Sequence, residues 1–184
     1  NRLCVEVYKR SSAAWIEDQD FFRFSGIFRS VFLYAKPVVH LTDLWLQAGL
    51  EADNTSGTLS IRLLPEGETE GASVHCAVTH PVQGTLFSGP LILTAEEKYL
   101  RSQLFRFENI RPWDHAHPEL YRVTLTLRKA DGAVTEVIPY DIGFRRFALR
   151  DGLMLLNGKR LVINGVNRHE WNPTTGRAIV RTDM

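Results

Sequence analysis

The chain has 184 residues, with 22 lysines and arginines against 21 aspartates and glutamates, a formal net charge of +1. Because these charges are spread along the sequence and form no basic patch, binding to a nucleic-acid backbone is not expected. The longest apolar runs, such as residues 161–163, are far too short to span a bilayer, so no membrane segment is expected.

Apolar and polar residues alternate along most of the chain, which is the pattern of half-buried β-strands. Turn-forming sequences rich in Gly, Asn and Asp separate the strands. About seven short strands over roughly a hundred residues are typical of an immunoglobulin-like sandwich. In chain order, the predicted strands lie at residues 3–7, 44–46, 59–63, 74–78, 104–110, 121–127 and 134–142.

No window shows a sustained helical stripe, and the best helical candidate, from Thr94 to Leu100, is barely two turns long, so an α/β fold is disfavoured. The pair Asp131-Gly132 separates two predicted strands and indicates a tight hairpin, because glycine tolerates positive φ. The sequence therefore predicts an all-β chain.

Composition breaks near Pro37 and Leu149 divide the chain into residues 1–36, 37–149 and 150–184. The first part is predicted as strand, polar loop and strand, and the last as two short strands around Asn157-Gly158 followed by a polar tail. The two cysteines, Cys4 and Cys76, form no Cys-x-x-Cys pair, so reduced thiols are favoured over a disulfide. Reduced thiols fit a cytoplasmic location.

An acidic run, Glu17-Asp18-Gln19-Asp20, is followed at once by Phe21, Phe22 and Phe24. A carboxylate among aromatic rings can bind a sugar hydroxyl or a hard cation, because apolar walls exclude competing water. The alternative is a solvated surface loop, and composition alone favours that alternative.

His169 follows the apolar residues 161–166, so it would emerge at the C-terminal end of a buried strand, which in a parallel barrel is the catalytic rim. A histidine bonded locally to the backbone is the more common alternative. His115 and His117 have no visible third ligand and are interpreted as a polar loop rather than a metal site. Trp113, Pro118, Leu120 and Tyr121 are interpreted as structural residues.

Motifs from both ends of the chain point to one family. The chain closely resembles the large bacterial β-galactosidases, which carry a sugar-binding jelly-roll, an immunoglobulin-like sandwich and a catalytic TIM barrel in that order. The resemblance implies that residues 1–36 end the jelly-roll, 37–149 form the sandwich, and 150–184 form the leading hairpin and first barrel strand. The motifs are Glu17-Asp18-Gln19-Asp20 with Ser25-Gly26-Ile27-Phe28-Arg29, Pro112-Trp113, Gly143-Phe144-Arg145 as the sandwich's exit strand, Leu155-Leu156-Asn157-Gly158-Lys159, and Gly165-Val166-Asn167-Arg168-His169-Glu170.

The resemblance also implies roles for single residues. The aspartate matching Asp20 contacts the galactose 6-hydroxyl and a sodium ion, and the histidine matching His169 lies beside the bound sugar and helps stabilise its transition state. Glu170 is expected to be a structural anchor. Two departures from the family pattern are Phe21-Phe22, in place of a tryptophan-bearing pair, and Trp171-Asn172, in place of two histidines.

The family hydrolyses β-galactosides such as lactose with retention, using two carboxyl groups about 5 Å apart. Both glutamates and the magnesium ligands are expected beyond Met184, so this segment alone is expected to be inactive. The parent protein is expected to be a cytoplasmic homo-oligomer. The alternatives are a non-catalytic carbohydrate-binding or adhesion sandwich, and a β-glucuronidase or β-mannosidase, whose relatives lack the cluster from Glu17 to Asp20.

Overall fold

The structure, a computed structural model, describes residues 2–17 and 22–183. The chain divides into two compact units: residues 35–162 form one, and residues 1–34 together with residues 163–184 form the other. No helix in the described part of the chain is long and apolar enough to cross a membrane.

The unit of residues 35–162 is built from antiparallel strands in three sheets. The first sheet contains β1 (His40–Leu50), β2 (Gly57–Glu66), β5 (Leu93–Glu96), β6 (Tyr99–Ser102) and β7 (Phe105–Phe107). The second contains β3 (Ser73–His80), β4 (Gly84–Pro90), β8 (Tyr121–Arg128) and β9 (Val134–Ile142). A small hairpin sheet contains β10 (Phe147–Arg150), β11 (Leu153–Leu156) and β12 (Lys159–Arg160).

The two large sheets enclose one apolar core. In β2, Leu59, Ile61 and Leu63 are fully buried, and the residues between them point toward the outer face, as the period of two requires. Strands β3 and β8 contribute the facing layer with the same alternation. The prediction of an all-β immunoglobulin-like sandwich is therefore confirmed.

The helical candidate from Thr94 to Leu100 is not a helix, in agreement with the all-β prediction. These residues form the hairpin of β5 and β6, in which Glu96 pairs with Tyr99 and Glu97 adopts a φ of 53°. The apolar spacing in this short run suits one helical turn as well as a tight hairpin. Pairing of β6 with β2 decides the outcome, because it gives the backbone groups their partners.

The predicted hairpin at Asp131-Gly132 is confirmed, with Gly132 at a φ of 82°. The amide of Ala133 donates a hydrogen bond to the Asp131 carboxylate over 2.9 Å. Cys4 and Cys76 are both free, as expected, and burial raises the pKa of the Cys76 thiol to about 11.

Tyr121 anchors one end of the sandwich. Its ring is fully buried, and its hydroxyl accepts a hydrogen bond from the Arg111 amide at 2.9 Å and donates one to Gln83 at 2.6 Å. A buried tyrosine hydroxyl bonded to backbone upstream is the tyrosine corner of immunoglobulin-like folds. The prediction that Tyr121 is structural is confirmed.

The loop between β1 and β2 is held by the carboxylate of Asp53. One oxygen accepts hydrogen bonds from the amides of Thr55 and Ser56, each at 2.9 Å, and the other accepts from the Ser56 hydroxyl at 2.6 Å. The Ser56 hydroxyl, followed by the two amides, lowers the pKa of Asp53 from 3.8 to about 2.

This shift predicts a pH-dependent contribution to stability. Because the folded-state pKa is depressed, the contribution is complete above the unfolded pKa and is lost as pH falls from 3.8 toward about 2. We expect Asp53→Asn to lower the free energy of unfolding near neutral pH, with a difference from wild type that shrinks in that acid window. Urea titrations of both proteins across pH measure it, and a difference independent of pH would contradict the assignment.

The small hairpin sheet is fastened to the sandwich by Arg146 and Asn157. The Asn157 side chain accepts a hydrogen bond from the Arg146 amide at 2.9 Å and donates one to the Trp113 carbonyl at 3.0 Å. The Arg146 guanidinium donates to the carbonyls of Leu50 and Glu51 and, at 3.1 Å, to the Asn54 side chain. The hairpin is therefore part of the unit of residues 35–162.

Replacing Asn157 tests this fastening. Asn157 adopts a φ of 52°, so Asn157→Gly removes the side-chain bonds without adding backbone strain. We expect a loss of about 1–2 kcal/mol in unfolding free energy and faster amide exchange in β10–β12. Asn157→Asp keeps the acceptor for the Arg146 amide and is the matched control, expected to lose less. Unchanged exchange in the glycine variant would refute the fastening.

The expected exit strand at Gly143-Phe144-Arg145 is not a strand: β9 ends at Ile142, and these residues link it to β10. Here the Trp113 amide donates to the Phe144 carbonyl at 2.9 Å. A Cβ on Gly143 would lie 2.8 Å from Trp113, so the close packing of this ring explains both the glycine and the break in pairing.

The second unit has little regular structure among its described residues. It contains a short helix, α1 (Ala14–Glu17), and a 3₁₀ turn (Arg181–Asp183). The strands predicted at residues 3–7 and 161–166 do not form, and Val5 and Val166 are exposed. A strand needs a neighbour for its backbone groups, and neither residues 3–7 nor residues 162–166 belong to any sheet of the described chain. The second run is joined to the small hairpin sheet at its first residue, where the Leu161 amide donates a hydrogen bond to the Met154 carbonyl at 2.8 Å.

Candidate functional site

The two predicted site residues, Asp20 and His169, both belong to the unit that joins residues 1–34 with residues 163–184. Asp20 lies outside the described residues, as do Asp18, Gln19 and Phe21. His169 is described and is exposed. The convergence of the two side chains on one sugar therefore stays a prediction. The structure shows the contacts of the residues that follow each of them in the chain.

The segments that follow the two residues are in contact. The rings of Phe22 and Trp171 meet edge to face, with centroids 5.0 Å apart at 62°. The Arg177 guanidinium donates a hydrogen bond to the Phe22 carbonyl at 2.9 Å. Phe22 lies two residues after Asp20, and Trp171 lies two residues after His169. These two contacts therefore connect the segment that follows Asp20 with the segment that follows His169.

A turn after Trp171 presents Arg177 to the N-terminal segment. The Asn172 side chain accepts hydrogen bonds from the amides of Thr174 and Thr175, at 2.8 and 3.2 Å, and Asn172 pairs with Gly176 through both backbone groups. Arg177 then lies over the Phe24 ring, 5.9 Å from its centroid. Sequence reasoning missed Arg177, although the pair Asn172-Pro173 is a recognisable turn signal.

The two residues beside His169 pair with each other. The Arg168 guanidinium lies 3.3 Å from the Glu170 carboxylate. In extended backbone, residues 168 and 170 point to one side and residue 169 to the other. Glu170 is thus engaged by its neighbour, an arrangement that suits the anchoring role expected for it.

Among residues 2–17 and 22–183, no three His, Cys, Asp or Glu side chains are grouped to hold a metal ion. The expected sodium ligand, Asp20, lies outside this part. His115 and His117 lie in an exposed loop, where His117 is 3.3 Å from the Asp114 carboxylate.

Comparison with known proteins identifies the family. Residues 39–145 match Glycosyl hydrolases family 2. The chain belongs to glycosyl hydrolase family 2. Residues 1–37 match the sugar binding domain of family 2, and residues 147–184 match its TIM barrel domain.

Relatives within family 2 cover the chain from end to end. It is 44% identical over 185 residues to the β-galactosidase large subunit of Lactobacillus acidophilus, spanning 100% of this chain and 29% of that protein. It is 41% identical over 187 residues to the β-galactosidase of Halalkalibacterium halodurans, spanning 100% of this chain and 18% of that protein. The chain therefore spans less than a third of the length of these relatives.

Solved family 2 structures share the fold. The apo structure of Bacteroides uniformis β-glucuronidase 3 superposes with a TM-score of 0.71 at 24% identity, over 89% of this chain and 20% of that chain. The Parabacteroides merdae β-glucuronidase structure gives a TM-score of 0.65 at 25% identity, over 78% of this chain and 18% of that chain.

Proposed function

We propose that the chain is the central piece of a retaining β-galactosidase and supplies two galactose-contact residues, Asp20 and His169. The observation that carries this proposal is the 44% identity, across all of this chain, to a β-galactosidase large subunit. The contact between Phe22 and Trp171 supports it, because it joins the segments that hold the two residues.

Each of the two residues has a chemical task in this proposal. The Asp20 carboxylate accepts a hydrogen bond from the galactose 6-hydroxyl and also provides a hard oxygen ligand for sodium. Bound sodium supplies a fixed positive charge beside that carboxylate. The His169 imidazole hydrogen-bonds the sugar ring as charge develops in the transition state. Both glutamates and the magnesium ligands belong to residues after Met184, so the 184-residue chain alone is proposed to be inactive.

The choice of galactoside over glucuronide follows from charge. A glucuronide carries a carboxylate at carbon 6, where the proposed position of Asp20 would place a second negative charge. Two carboxylates in one site repel, and the single sodium ion proposed at Asp20 would offset only one of the two negative charges. The neutral 6-hydroxyl of a galactoside has no such cost.

Hydrolysis of paired chromogenic substrates tests this function. We expect the parent protein to cleave a nitrophenyl β-galactoside and to leave the matching β-glucuronide and β-mannoside almost untouched. Asp20→Ala in the parent is expected to weaken the dependence of galactoside hydrolysis on sodium. Preferential hydrolysis of the glucuronide, or unchanged activity and sodium dependence in Asp20→Ala, would overturn the proposal.

The location and assembly of the parent are also part of the proposal. The free thiols of Cys4 and Cys76 suit a reducing compartment, and a cytoplasmic location is proposed on that basis. A homo-oligomeric parent is proposed from the resemblance alone. Light scattering of the purified parent measures its mass in solution, and a monomer would refute that part.

A further inference from the structure

A three-residue turn in the N-terminal segment brings one backbone carbonyl to Arg177. The Phe24 amide donates a hydrogen bond to the Phe22 carbonyl at 3.1 Å, which closes a γ-turn over residues 22–24. The Arg177 guanidinium donates to the same carbonyl at 2.9 Å. A carbonyl oxygen can accept two hydrogen bonds, so the two donors do not compete. The Phe22 carbonyl is therefore held both by its own turn and by a residue 155 positions away.

Ring contacts accompany this hydrogen bond at both ends of the γ-turn. The Phe22 ring meets the Trp171 ring edge to face, with centroids 5.0 Å apart. The Arg177 guanidinium lies over the Phe24 ring, 5.9 Å from its centroid. A Cβ on Gly176 would lie 3.4 Å from Phe24 Cδ1, so this ring packs directly on the backbone of the glycine. Both phenylalanines of the γ-turn thus contact the C-terminal segment.

The turn before Arg177 fixes where its side chain starts. The Asn172 side chain accepts hydrogen bonds from two amides of this turn, and Asn172 pairs with Gly176 through both backbone groups. Arg177 follows directly and is half-buried. A hydrogen bond from a charged guanidinium is stronger than one between neutral groups. The bond from Arg177 to the Phe22 carbonyl is therefore the strongest polar contact described between the two segments.

We propose that Arg177 is a positioning residue that holds the segment after Asp20 against the segment after His169. The inference rests on the proposed function, in which these two side chains contact one galactose. The bond from Arg177 ends two residues after Asp20, so it limits how far the two segments can separate. Displacement of a sugar contact by about 1 Å can lower the rate about a hundredfold. Arg177 acts through the backbone and is not proposed to touch the sugar.

The competing interpretation is that Arg177 only stabilises the local fold. The two interpretations differ for a substrate that lacks the 6-hydroxyl. A β-D-fucoside is a β-galactoside in which hydrogen replaces this hydroxyl, so it cannot make the contact proposed for Asp20. Loss of positioning through Asp20 therefore lowers hydrolysis of the galactoside selectively, whereas a general loss of structure lowers hydrolysis of both substrates.

Steady-state hydrolysis of a nitrophenyl β-galactoside and the matching β-D-fucoside by the parent protein tests the proposal. We expect Arg177→Ala to lower kcat/KM by about ten- to a hundredfold for the galactoside and by less than about threefold for the fucoside. Arg177→Lys keeps a charged donor and should restore much of the galactoside rate. Arg181→Ala is the matched control, because Arg181 is exposed and lies four residues further on, and it should behave like wild type.

Two further measurements keep the proposal testable if Arg177→Ala folds poorly, which circular dichroism would show. Asn172→Ala removes the acceptor of the turn before Arg177, and Asn172→Asp keeps it. We expect a selective loss of galactoside hydrolysis in the alanine variant and a smaller loss in the aspartate variant. Amide exchange of residues 22–24, measured by mass spectrometry in the parent, should become faster in Arg177→Ala and in Asn172→Ala and stay unchanged in Arg181→Ala.

The other outcomes overturn the proposal and are distinguishable from failure of the proposed function. Equal losses for both substrates, or unchanged galactoside hydrolysis in Arg177→Ala, assign Arg177 to the local fold alone. Asp20→Ala tests the proposed function separately, because it should remove the preference for the galactoside over the fucoside. A preference that survives Asp20→Ala refutes the galactose contact and, with it, the role of Arg177. A preference that is lost in Asp20→Ala but kept in Arg177→Ala refutes only the role of Arg177.

Discussion

His169→Ala in the parent protein is expected to lower kcat/KM for a β-galactoside by about a hundred- to a thousandfold. The reason is that a hydrogen bond aimed at the reacting sugar is strongest when charge develops in the transition state, and alanine cannot replace it. Steady-state hydrolysis of a nitrophenyl β-galactoside measures the change. His115→Ala is the matched control, because His115 is an exposed histidine of the sandwich and is expected to leave the rate unchanged.

The division of the effect between kcat and KM distinguishes this role from simple sugar binding. Loss of an interaction made mainly in the transition state lowers kcat and kcat/KM together, whereas loss of uniform binding raises KM alone. A KM effect with unchanged kcat would make His169 a binding residue only. A change below about threefold would remove it from the site.

The sandwich was predictable because burial in it follows strand period. The alternation of Leu59, Ile61 and Leu63 needs only the local sequence to be recognised, and the structure buries all three. Strand β4 was not predicted because Gly84, Gly89 and Pro90 weaken the strand signal. The pairing of β4 with β3 cannot be recognised from the sequence of β4 alone. Pairing partners, rather than propensity, decide such segments.

Strands predicted outside the sandwich do not form, and the missing pairing partner is again the reason. The apolar run at residues 161–166 has a strong strand pattern, yet it forms no strand in the part of the chain that the structure describes. A central barrel strand obtains its hydrogen bonds from two neighbours. The pattern thus encodes a strand whose partners are not among the described residues.

The site was predictable by resemblance but not by local pattern. Asp20 and His169 were selected because of the motifs around them, and Asp20 lies outside the described residues. The contact of Arg177 with the Phe22 carbonyl spans 155 positions and has no local signal. Phe22 and Trp171, which the resemblance marks as departures from the family pattern, are in ring-to-ring contact.

Phe144→Ala is expected to cost about 3–5 kcal/mol of unfolding free energy. The ring is fully buried, with its centroid 5.0 Å from that of Tyr121 and 5.8 Å from that of Phe107, both edge to face. Its removal leaves a cavity lined by rigid rings, and the loss is comparable with the whole stability of a small domain. Urea denaturation measures it. Phe147→Ala, at an exposed phenylalanine, should change stability by less than about 0.5 kcal/mol.

Gly57 makes this prediction sharper, because it lies against the same ring. A Cβ at Gly57 would come within 2.8 Å of Phe144 Cδ1 and 2.9 Å of Ile110 Cγ1, so Gly57→Ala clashes in the wild-type core. In a Phe144→Ala background most of that clash disappears, and the new methyl group fills part of the cavity. The double variant should therefore be more stable than the sum of the two single losses predicts, by about 0.5–3 kcal/mol. Additive losses would mean that Phe144 does not pack on Gly57, and would contradict the placement of this ring at the centre of the core.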